Sequence, residues 1–241
     1  MNDQYQGLAK FYDQLVQKSR NYDEMTTELA RIIGEARDLL EIGIGTGLVA
    51  ENLLQIKPAY KITGIDISEP LLEEAQKRLG QKVDLYSQSV SELNIGKKFD
   101  VAYSRGGAWT FVNYGSETIL ASHIFSSTDI QKSFDGVAQH LQAGGRLIIG
   151  FSNFYTNTYT NKVIELDDCI VHKKISTTEL SEHERYAIFD YHFYQNDELV
   201  TQQTLKFRLL SHQTCTMMLE KAGFVEKDIN PGKYYTYLKA T

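Results

Sequence analysis

Short apolar runs alternate with amphipathic stretches along the middle of the chain, and this pattern predicts strands that alternate with helices. The predicted strands are brief apolar runs bounded by polar or glycine residues, at positions 38–42, 61–65, 83–86, 99–104 and 146–151. The predicted helices between them cover positions 46–55, 69–79 and 128–142. Thr128 and Gln131 form a capping-box pattern at the start of the last helix. This order predicts an α/β fold with a mostly parallel sheet.

Helical spacing also marks the beginning of the chain. Leu8, Phe11 and Leu15 recur at intervals of three and four residues, which predicts a helix over positions 4–19. A second helix is expected over positions 22–33, where Gly34 would end it. Both helices precede the first predicted strand.

Alternating apolar and polar positions are typical of the chain after position 160. Three strands are predicted there, at positions 163–173, 187–195 and 200–210. Asn196-Asp197 predicts a tight turn between the second and the third. These strands predict an antiparallel sheet inserted after the fifth parallel strand. By contrast, positions 106–127 are rich in aromatic residues and predict a long, ordered loop.

The first strand runs into a loop with glycine at every second position: Gly43, Gly45 and Gly47. Glycine lets a backbone approach a ligand closely, and the following helix start offers free N–H groups. Asp66 ends the second strand, 19 residues after Gly47, where a carboxylate can accept hydrogen bonds from two ribose hydroxyls. Together these features predict a nucleotide-binding corner.

The spacing of the glycines separates two classes of cofactor. A dinucleotide fingerprint has glycine at the sixth position, but this chain has Leu48 there and an acid, Glu41, before the loop. The stretch from Asp38 to Leu48 instead closely resembles motif I of the class I S-adenosylmethionine (SAM)-dependent methyltransferases. Residues 141–149, Leu-x-x-Gly-Gly-x-Leu-x-Ile, resemble a later motif of the same class. The matched segments cover roughly residues 38–151.

The resemblance implies a fold and a domain organisation. It implies a Rossmann-like sheet of seven mostly parallel strands with an N-terminal helical lid. We expect one domain over 1–241, made of N-terminal helices (1–36), a cofactor-binding core (37–152), inserted strands (160–211) and a C-terminal helix with strands (212–241). The inserted sheet resembles that of sugar-amine N,N-dimethyltransferases and glycine-type N-methyltransferases, which suggests an amino sugar or amino acid as the acceptor.

The resemblance also implies SAM as cofactor and S-adenosylhomocysteine as product. Cofactor contacts are expected from one set of residues: Tyr22, Glu41, Gly43, Gly45, Thr46, Gly47, Asp66, Ile67, Ser89, Val90 and Ser104. Many family members have Gly-Asp after the third strand, but this chain has Gln88-Ser89-Val90. Ser89 would therefore bind the adenine more weakly than an aspartate.

Candidate catalytic residues are His123, since imidazole titrates near neutrality, and Tyr12 from the N-terminal lid. Expected substrate contacts come from the segment after the fourth strand, the aromatic loop and the end of the fifth strand: Arg105, Trp109, Tyr114, Asn153 and Tyr155. An amine or hydroxyl acceptor would need a base to take up a proton, whereas a carboxylate acceptor would not. Arg105 could hold an acidic substrate.

Composition narrows the partners. A net charge of −6 and a pI of about 5.6 argue against nucleic acid as the main partner. No apolar run reaches membrane-spanning length, so a cytoplasmic protein is expected. Two cysteines, Cys169 and Cys215, indicate neither a disulfide framework nor a metal site, and no carboxylate cluster suggests a divalent ion. A monomer or homodimer that acts on a small molecule is expected.

Three other functions remain open from the sequence. The unusual segment Ser104-Arg105-Gly106-Gly107 leaves room for a cyclase that converts SAM into methylthioadenosine. A SAM-binding sensor without turnover would keep the same loop and Asp66. An NAD enzyme is disfavoured by Leu48.

Overall fold

The computed structural model describes residues 3–18, 21–152, 160–181, 184–230 and 233–240, and they form an α/β structure as predicted. Its helices are α1 (Tyr12–Gln17), α2 (Tyr22–Ile33), α3 (Leu48–Ile56), α4 (Glu69–Leu79), α5 (Ser127–His140) and α6 (His212–Lys221). Its strands are β1 (Asp38–Ile42), β2 (Lys61–Asp66), β3 (Val83–Ser87), β4 (Phe99–Ser104), β5 (Trp109–Tyr114), β6 (Glu117–Ser122), β7 (Leu141–Ser152), β8 (Thr160–Glu165), β9 (Ile170–Ser181), β10 (Glu184–Gln195), β11 (Glu198–Ser211), β12 (Phe224–Asn230) and β13 (Tyr234–Lys239). Short 3-10 turns occupy Ala9–Phe11 and Val90–Glu92.

The parallel part of the sheet has the order β3-β2-β1-β4-β7. β13 pairs antiparallel with β7, and β12 pairs antiparallel with β13. Four of the five residues of β1 are buried, as expected for a parallel strand that is covered by helices on both faces. The carboxyl ends of the parallel strands therefore meet at one edge, where ligands bind in folds of this kind.

Strand β7 connects this sheet to a second, antiparallel one. Residues 146–150 of β7 pair with β13, whereas Phe151 and Ser152 pair with Phe111 and Val112 of β5. From β5 the sheet continues in the order β6-β11-β10-β9-β8. The antiparallel strands thus begin at the ligand-binding edge and extend away from it.

The predicted long loop at positions 106–127 is wrong, because it contains the hairpin formed by β5 and β6. Trp109, Thr110, Phe111 and Val112 are all buried, so the polar alternation that marks a half-exposed strand is missing. The prediction of three inserted strands is also wrong. Four strands, β8 to β11, are present because a turn divides positions 163–173 between β8 and β9.

Local turn chemistry was predicted more successfully. Asn196 and Asp197 form the turn between β10 and β11, with φ angles of 50° and 64°. Both residues tolerate this left-handed conformation, which a two-residue hairpin turn requires. Helix α5, however, begins two residues earlier than its predicted capping box. Ser126 is its N-cap and accepts a hydrogen bond from the N–H of Asp129.

The first predicted helix is shorter than expected. Only Ala9–Phe11 and Tyr12–Gln17 are helical, and the residues before them run across the antiparallel sheet. The N–H of Gly7 donates to Oε1 of Gln203 over 3.0 Å, and Phe11 stacks on Phe193 with ring centroids 4.8 Å apart. Contacts with the sheet therefore replace the first helical turns. Helix α2 agrees with its predicted bounds and is capped by Asn21.

Buried apolar side chains form three clusters around the sheet. One lies against α5 and α6, one lies under the antiparallel strands, and one is enclosed by α2, α3 and α4. The second cluster includes Leu8, Phe11 and Leu15, so the predicted apolar face of the first segment is the face that packs. Among the helices described, none combines the length and apolar character needed to cross a membrane.

The loops after β1 and β4 touch through their backbones. A Cβ atom on Gly43 would lie 2.4 Å from Cα of Gly107, and one on Gly107 would lie 2.3 Å from the carbonyl oxygen of Ile42. Gly43 also has a φ angle of +72°. Both positions therefore require glycine if the two strand ends are to meet.

We expect the substitution Gly107→Ala to destabilise the fold by about 1–3 kcal/mol, because the added methyl group would push two backbone segments apart. Gly136→Ala in α5 is the matched control. Its Cβ would meet neighbours at an ordinary 3.5 Å, so it should stabilise the protein by about 0.5–1 kcal/mol. Chemical unfolding measures both changes. Equal effects of the two substitutions would contradict the backbone contact.

Candidate active site

A cavity of about 580 Å³, including its open mouth, lies at the carboxyl ends of β1, β2 and β4. The glycine loop forms one wall, and the loop after β4 forms another. Residues from the N-terminal segment cover it. Its lining consists of Tyr5, Tyr12, Ile42, Gly43, Gly45, Ile65, Asp66, Ile67, Leu71, Gln88, Ser89, Val90, Gly106, Gly107, Ala108 and His123. A narrow, largely apolar cleft with a few polar groups is typical of a small-ligand site.

Asp66 organises the glycine loop. Its Oδ2 accepts a hydrogen bond from the N–H of Gly45 over 2.8 Å, and its Oδ1 accepts one from the N–H of Ser68 over 2.9 Å. The carbonyl of Ile65 accepts hydrogen bonds from the N–H groups of Gly43 and Ile44. Burial raises the pKa of Asp66, and these backbone donors oppose the rise. The end of β2 therefore fixes the loop that follows β1.

The space beside Gly45 is open. Gly45 has a φ angle of +56°, and a Cβ there would meet only Cε1 of Tyr12, at 3.8 Å. Ile67, Ser89 and Val90 also line the cavity. A flat apolar ring system fits between such walls, and the carboxylate of Asp66 lies at the level of the loop. These residues thus fit an adenosyl group.

His123 enters the cavity from the hairpin that the sequence did not predict. It directly follows β6, and its backbone N–H donates a hydrogen bond to the carbonyl of Ala108. Its Nε2 lies 2.7 Å from the hydroxyl of Tyr5, whose ring also makes an edge contact with Tyr12. Burial lowers the pKa of His123 to about 4. A hydrogen bond with the backbone carbonyl of Lys206 raises the pKa, but this effect is smaller. The imidazole is therefore neutral at physiological pH.

A second, larger cavity of about 2530 Å³, including open solvent, adjoins the first. Tyr5, Tyr12 and Gly106 line both cavities and mark their junction. Residues of the antiparallel strands, among them Phe189 and Phe207, form its far side. A reacting group held in the first cavity could therefore reach a molecule held in the second.

Among the described residues that line the second cavity, basic side chains outnumber acidic ones. The basic ones are Lys18, Arg105, Lys162, Lys173 and Lys233, and the acidic ones are Glu24 and Glu28. Glu24 lies 3.7 Å from Lys233, and Glu28 is paired with Arg31. This cavity is therefore more basic than the protein as a whole.

The structure brings several predicted site residues together. The first cavity is lined by the candidates Tyr12, Gly43, Gly45, Asp66, Ile67, Ser89, Val90 and His123, and Arg105 lines the second. Arg105 packs over Gly150 of β7 and interacts with Tyr234. Asn153 and Tyr155 lie outside the described residues, so their predicted substrate contacts remain predictions.

Other predicted residues lie behind the cavities. Thr46 is buried and donates from Oγ1 to Asp13 over 2.5 Å, and Gly47 is the left-handed N-cap of α3. Ser104 is buried and donates to the carbonyl of Trp109. Tyr22 begins α2 and packs against an apolar cluster. These positions support the cavity wall.

The predicted substrate contacts of Trp109 and Tyr114 have no support from the structure. Trp109 is fully buried and packs on Phe134, with ring centroids 4.7 Å apart. Tyr114 lies under the guanidinium of Arg185 at the end of β5. Both residues belong to β5, in the part of the chain that was predicted to be a long, ordered loop. Neither is among the described residues that line the two cavities.

Glu41 is the most buried carboxyl group at this edge of the sheet. It is 2% exposed and accepts a hydrogen bond from the hydroxyl of Tyr103 over 2.9 Å. Burial raises its pKa to about 8, with a smaller contribution from the nearby charge of Asp66. Glu41 is therefore protonated at neutral pH.

Tyr5 and Gln88 line the first cavity but were not among the predicted contacts. Gln88 lies two residues after the third predicted strand and next to Ser89, and this position was the available signal. Tyr5 had no such signal, because the stretch around it was predicted to be helical. Among the described residues, no group of three or more His, Cys, Asp or Glu side chains is placed to hold a metal ion.

Comparison with known proteins agrees with this architecture. A family described as "Methyltransferase domain" matches residues 39–145. DesVI from Streptomyces venezuelae has a similar structure, with a TM-score of 0.73 and 16% identity over 96% of this chain and 98% of that one. SAM-bound CalS10, an amino pentose methyltransferase from Micromonospora echinaspora, has a TM-score of 0.66 and 15% identity over 100% and 99%. The fold and the cavity define the class I methyltransferase architecture.

A malonyl-[acyl-carrier protein] O-methyltransferase from Ilyobacter polytropus is 27% identical over 161 residues, which are 66% of this chain and 53% of the relative. The chain spans about half the length of the curated relatives it matches. Residues 39–145 therefore match a methyltransferase domain family, and the described fold is that of the class I methyltransferases.

We expect the buried carboxyl group of Glu41 to make stability depend on pH. Its folded-state pKa of about 8 lies above the ordinary 4.5, so the folded state is progressively penalised as pH rises from 4.5 to 8. Between pH 5.5 and 7.5, wild type should lose about 2 kcal/mol relative to Glu41→Gln. Unfolding of the ligand-free proteins at several pH values measures this difference.

The exposed Glu74 provides the control, since Glu74→Gln should leave the pH profile of wild type unchanged. Parallel profiles of wild type and Glu41→Gln would show that Glu41 titrates normally and would contradict the expected shift.

Proposed function

We propose that this protein transfers a methyl group from SAM to an amine or hydroxyl group of a small molecule. The observation that carries the proposal is the junction of the two cavities at Tyr5, Tyr12 and Gly106. One cavity fits an adenosyl group, and the other is wide enough for a separate acceptor. Two ligands that meet at a narrow junction are what a transfer reaction requires.

The residues of the first cavity support SAM as the ligand. Asp66 accepts hydrogen bonds from the backbone N–H groups of Gly45, Ser68 and Ile67, and an ionised carboxylate offers about four acceptor positions. It therefore retains an acceptor position for a ribose hydroxyl. Ile67 and Val90 would enclose the adenine, and Ser89 would bind its edge. Gly43 and Gly45 would allow the methionyl part to approach the loop.

Bound SAM supplies a methyl group that its sulfonium already activates. The chain then has to orient the acceptor and exclude water. Tyr5 and Tyr12 cover the junction from the N-terminal segment, and their aromatic faces suit a sulfonium cation. Gly106, with a φ angle of +81°, leaves room at the junction for the acceptor atom.

His123 remains our candidate for handling the proton, but its pKa changes the expected role. An imidazole with a pKa of about 4 is a weak base and would not remove a proton from an ammonium group. It is neutral and can accept the hydrogen bond of the Tyr5 hydroxyl. We infer that His123 orients Tyr5, and that Tyr5 then accepts a hydrogen bond from the neutral acceptor. Tyr12 would position the acceptor from the other side.

The charge of the second cavity favours an acceptor that also carries an acidic group. Arg105 lies closest to the junction, because it directly precedes Gly106, and it can bind a carboxylate or phosphate with two donors. The names of the relatives point to both a carboxyl acceptor and an amino pentose. An amine or hydroxyl remains our preference, because Tyr5 and His123 offer polar partners at the junction. An amino sugar or an amino acid would fit.

We expect Asp66→Ala and His123→Ala to separate binding from turnover. Loss of the Asp66 carboxylate should weaken SAM binding by about 10–100-fold, since it removes hydrogen bonds to a charged group. His123→Ala should leave SAM affinity within about threefold and lower kcat at least tenfold. Calorimetry and single-turnover kinetics measure the two effects. His172→Ala, at an exposed position of β9, is the control and should change neither.

The acceptor class can be tested with methyl-labelled SAM and matched compounds. An amino sugar, an amino acid and a dicarboxylic monoacyl thioester should be compared as acceptors, with S-adenosylhomocysteine measured in parallel. With the wild-type protein, we expect the label in the compound that carries the amine. In Arg105→Gln, we expect the KM for acidic acceptors to increase at least tenfold. Label in the thioester alone would replace the amine by a carboxyl acceptor. Methylthioadenosine without labelled product would establish cyclisation instead, and tight binding without any product would establish a sensor.

A further inference from the structure

The N-terminal segment, defined as residues 3–17, is fastened to the cofactor-binding part of the molecule by one carboxylate. Oδ1 of Asp13 accepts a hydrogen bond from Oγ1 of Thr46 over 2.5 Å, and Oδ2 pairs with Nη2 of Arg78. Arg78 in turn donates from Nε to the carbonyl of Thr46 over 2.9 Å and from Nη1 to Glu51 over 2.7 Å. Three nitrogens of one guanidinium thus join α1, the glycine loop, α3 and α4.

The position of this network relates it to the site. Asp13 follows Tyr12, which lines both cavities, and Thr46 lies between Gly45 and Gly47. The bond between Asp13 and Thr46 therefore sets the distance between Tyr12 and the glycine loop. This agrees with the 3.8 Å between Cε1 of Tyr12 and the Cβ position of Gly45.

Local structure alone would not hold the segment in place. α1 has six residues, far fewer than an isolated helix needs to be stable in water. Its position must therefore come from tertiary contacts. On one side these contacts are apolar, through Leu8 and Phe11 against the antiparallel sheet. On the other side they are polar, through Asp13 and through Asp3, which accepts a hydrogen bond from Ser68.

The ion pair between Asp13 and Arg78 is partly shielded from solvent, so its electrostatic attraction can stabilise the position of the segment. The side chains of Arg78, Asp13 and Glu51 are 24%, 30% and 34% exposed, so solvent screens them less than it screens a surface pair. Lys77, the neighbour of Arg78, forms an exposed pair with Glu74 on the same helix. The chain therefore contains a half-buried pair and an exposed pair side by side.

We propose that Asp13 is a positioning residue: through Thr46 and Arg78 it holds the N-terminal segment closed over the first cavity and so limits how fast the adenosyl ligand leaves. The identity of the ligand rests on the proposed function. The closure itself does not, since every contact of the network joins residues of this chain. Opening would require the loss of the Asp13 contacts, while the apolar side of the segment could stay in place as a hinge.

The experiment compares wild type with Asp13→Asn, Arg78→Gln, the double variant and the control Lys77→Gln. Hydrogen exchange of the proteins without added ligand reports on the amides of the segment, such as that of Phe11, which donates to the carbonyl of Leu8. We expect exchange in the segment to rise at least tenfold in both single variants and in Lys77→Gln to stay within twofold of wild type. The double variant should be no faster than the single ones, because the same pair is lost.

Stopped-flow dissociation of S-adenosylhomocysteine gives the second readout. We expect the dissociation rate to increase at least tenfold in Asp13→Asn with little change in the association rate. The wild-type rate should rise with salt concentration, while that of Asp13→Asn should not. If Arg78→Gln fails to fold because Glu51 loses its partner, Asp13→Asn and Thr46→Val carry the same comparison.

The proposal is overturned if exchange in the segment stays within twofold of wild type in Asp13→Asn. It is also overturned if that variant releases the ligand at the wild-type rate. A wild-type protein that binds no S-adenosylhomocysteine would overturn the proposed function. Hydrogen exchange would then still decide whether Asp13 closes the segment.

Discussion

The direct backbone contact between the loops after β1 and β4 is the constraint on which the site depends. Gly43 and Gly107 approach so closely that no side chain fits at either position. This contact fixes the separation of the strand ends, and Asp66 then binds the glycine loop from β2. The ends of three neighbouring strands therefore form the floor of the first cavity, and backbone contacts hold this floor in place. A rigid floor of this kind lets a few polar groups determine what binds.

Around this floor, three separate parts of the chain supply the functional side chains. His123 follows the hairpin of β5 and β6, and Tyr5 and Tyr12 belong to the N-terminal segment. Residues of the antiparallel strands line the second cavity. Strand β7 makes this possible, because its end leaves β13 and pairs with β5. The same strand thus belongs to the parallel part of the sheet and carries the start of the antiparallel part. The two cavities meet where that change of partner occurs.

Burial has opposite consequences for the two titratable groups near this edge. It raises the pKa of Glu41 and lowers the pKa of His123, since in both cases it disfavours the charged form. Both groups are therefore neutral at physiological pH. A neutral imidazole at the junction would suit the proposed reaction, in which an uncharged acceptor approaches a sulfonium. It also explains why a histidine chosen for its ordinary pKa would act here as a hydrogen-bonding partner.

The sequence alone determined the features that depend on local chemistry. These features are the glycine loop, the acid at the end of β2, helix α2 and the Asn196-Asp197 turn. Each follows from the backbone conformations that its own residues permit. The glycine loop and the acid also indicated the class of protein. Tertiary structure decided the rest. The β5–β6 hairpin could not be predicted, because both faces of the hairpin are buried and the alternation of polar residues is missing. Tyr5 was not predicted to line the cavity, because the residues around it pack on the antiparallel sheet instead of forming a helix. The pKa of His123 and the Asp13–Arg78 pair likewise depend on residues far apart in the sequence, whose proximity is created by burial and strand pairing.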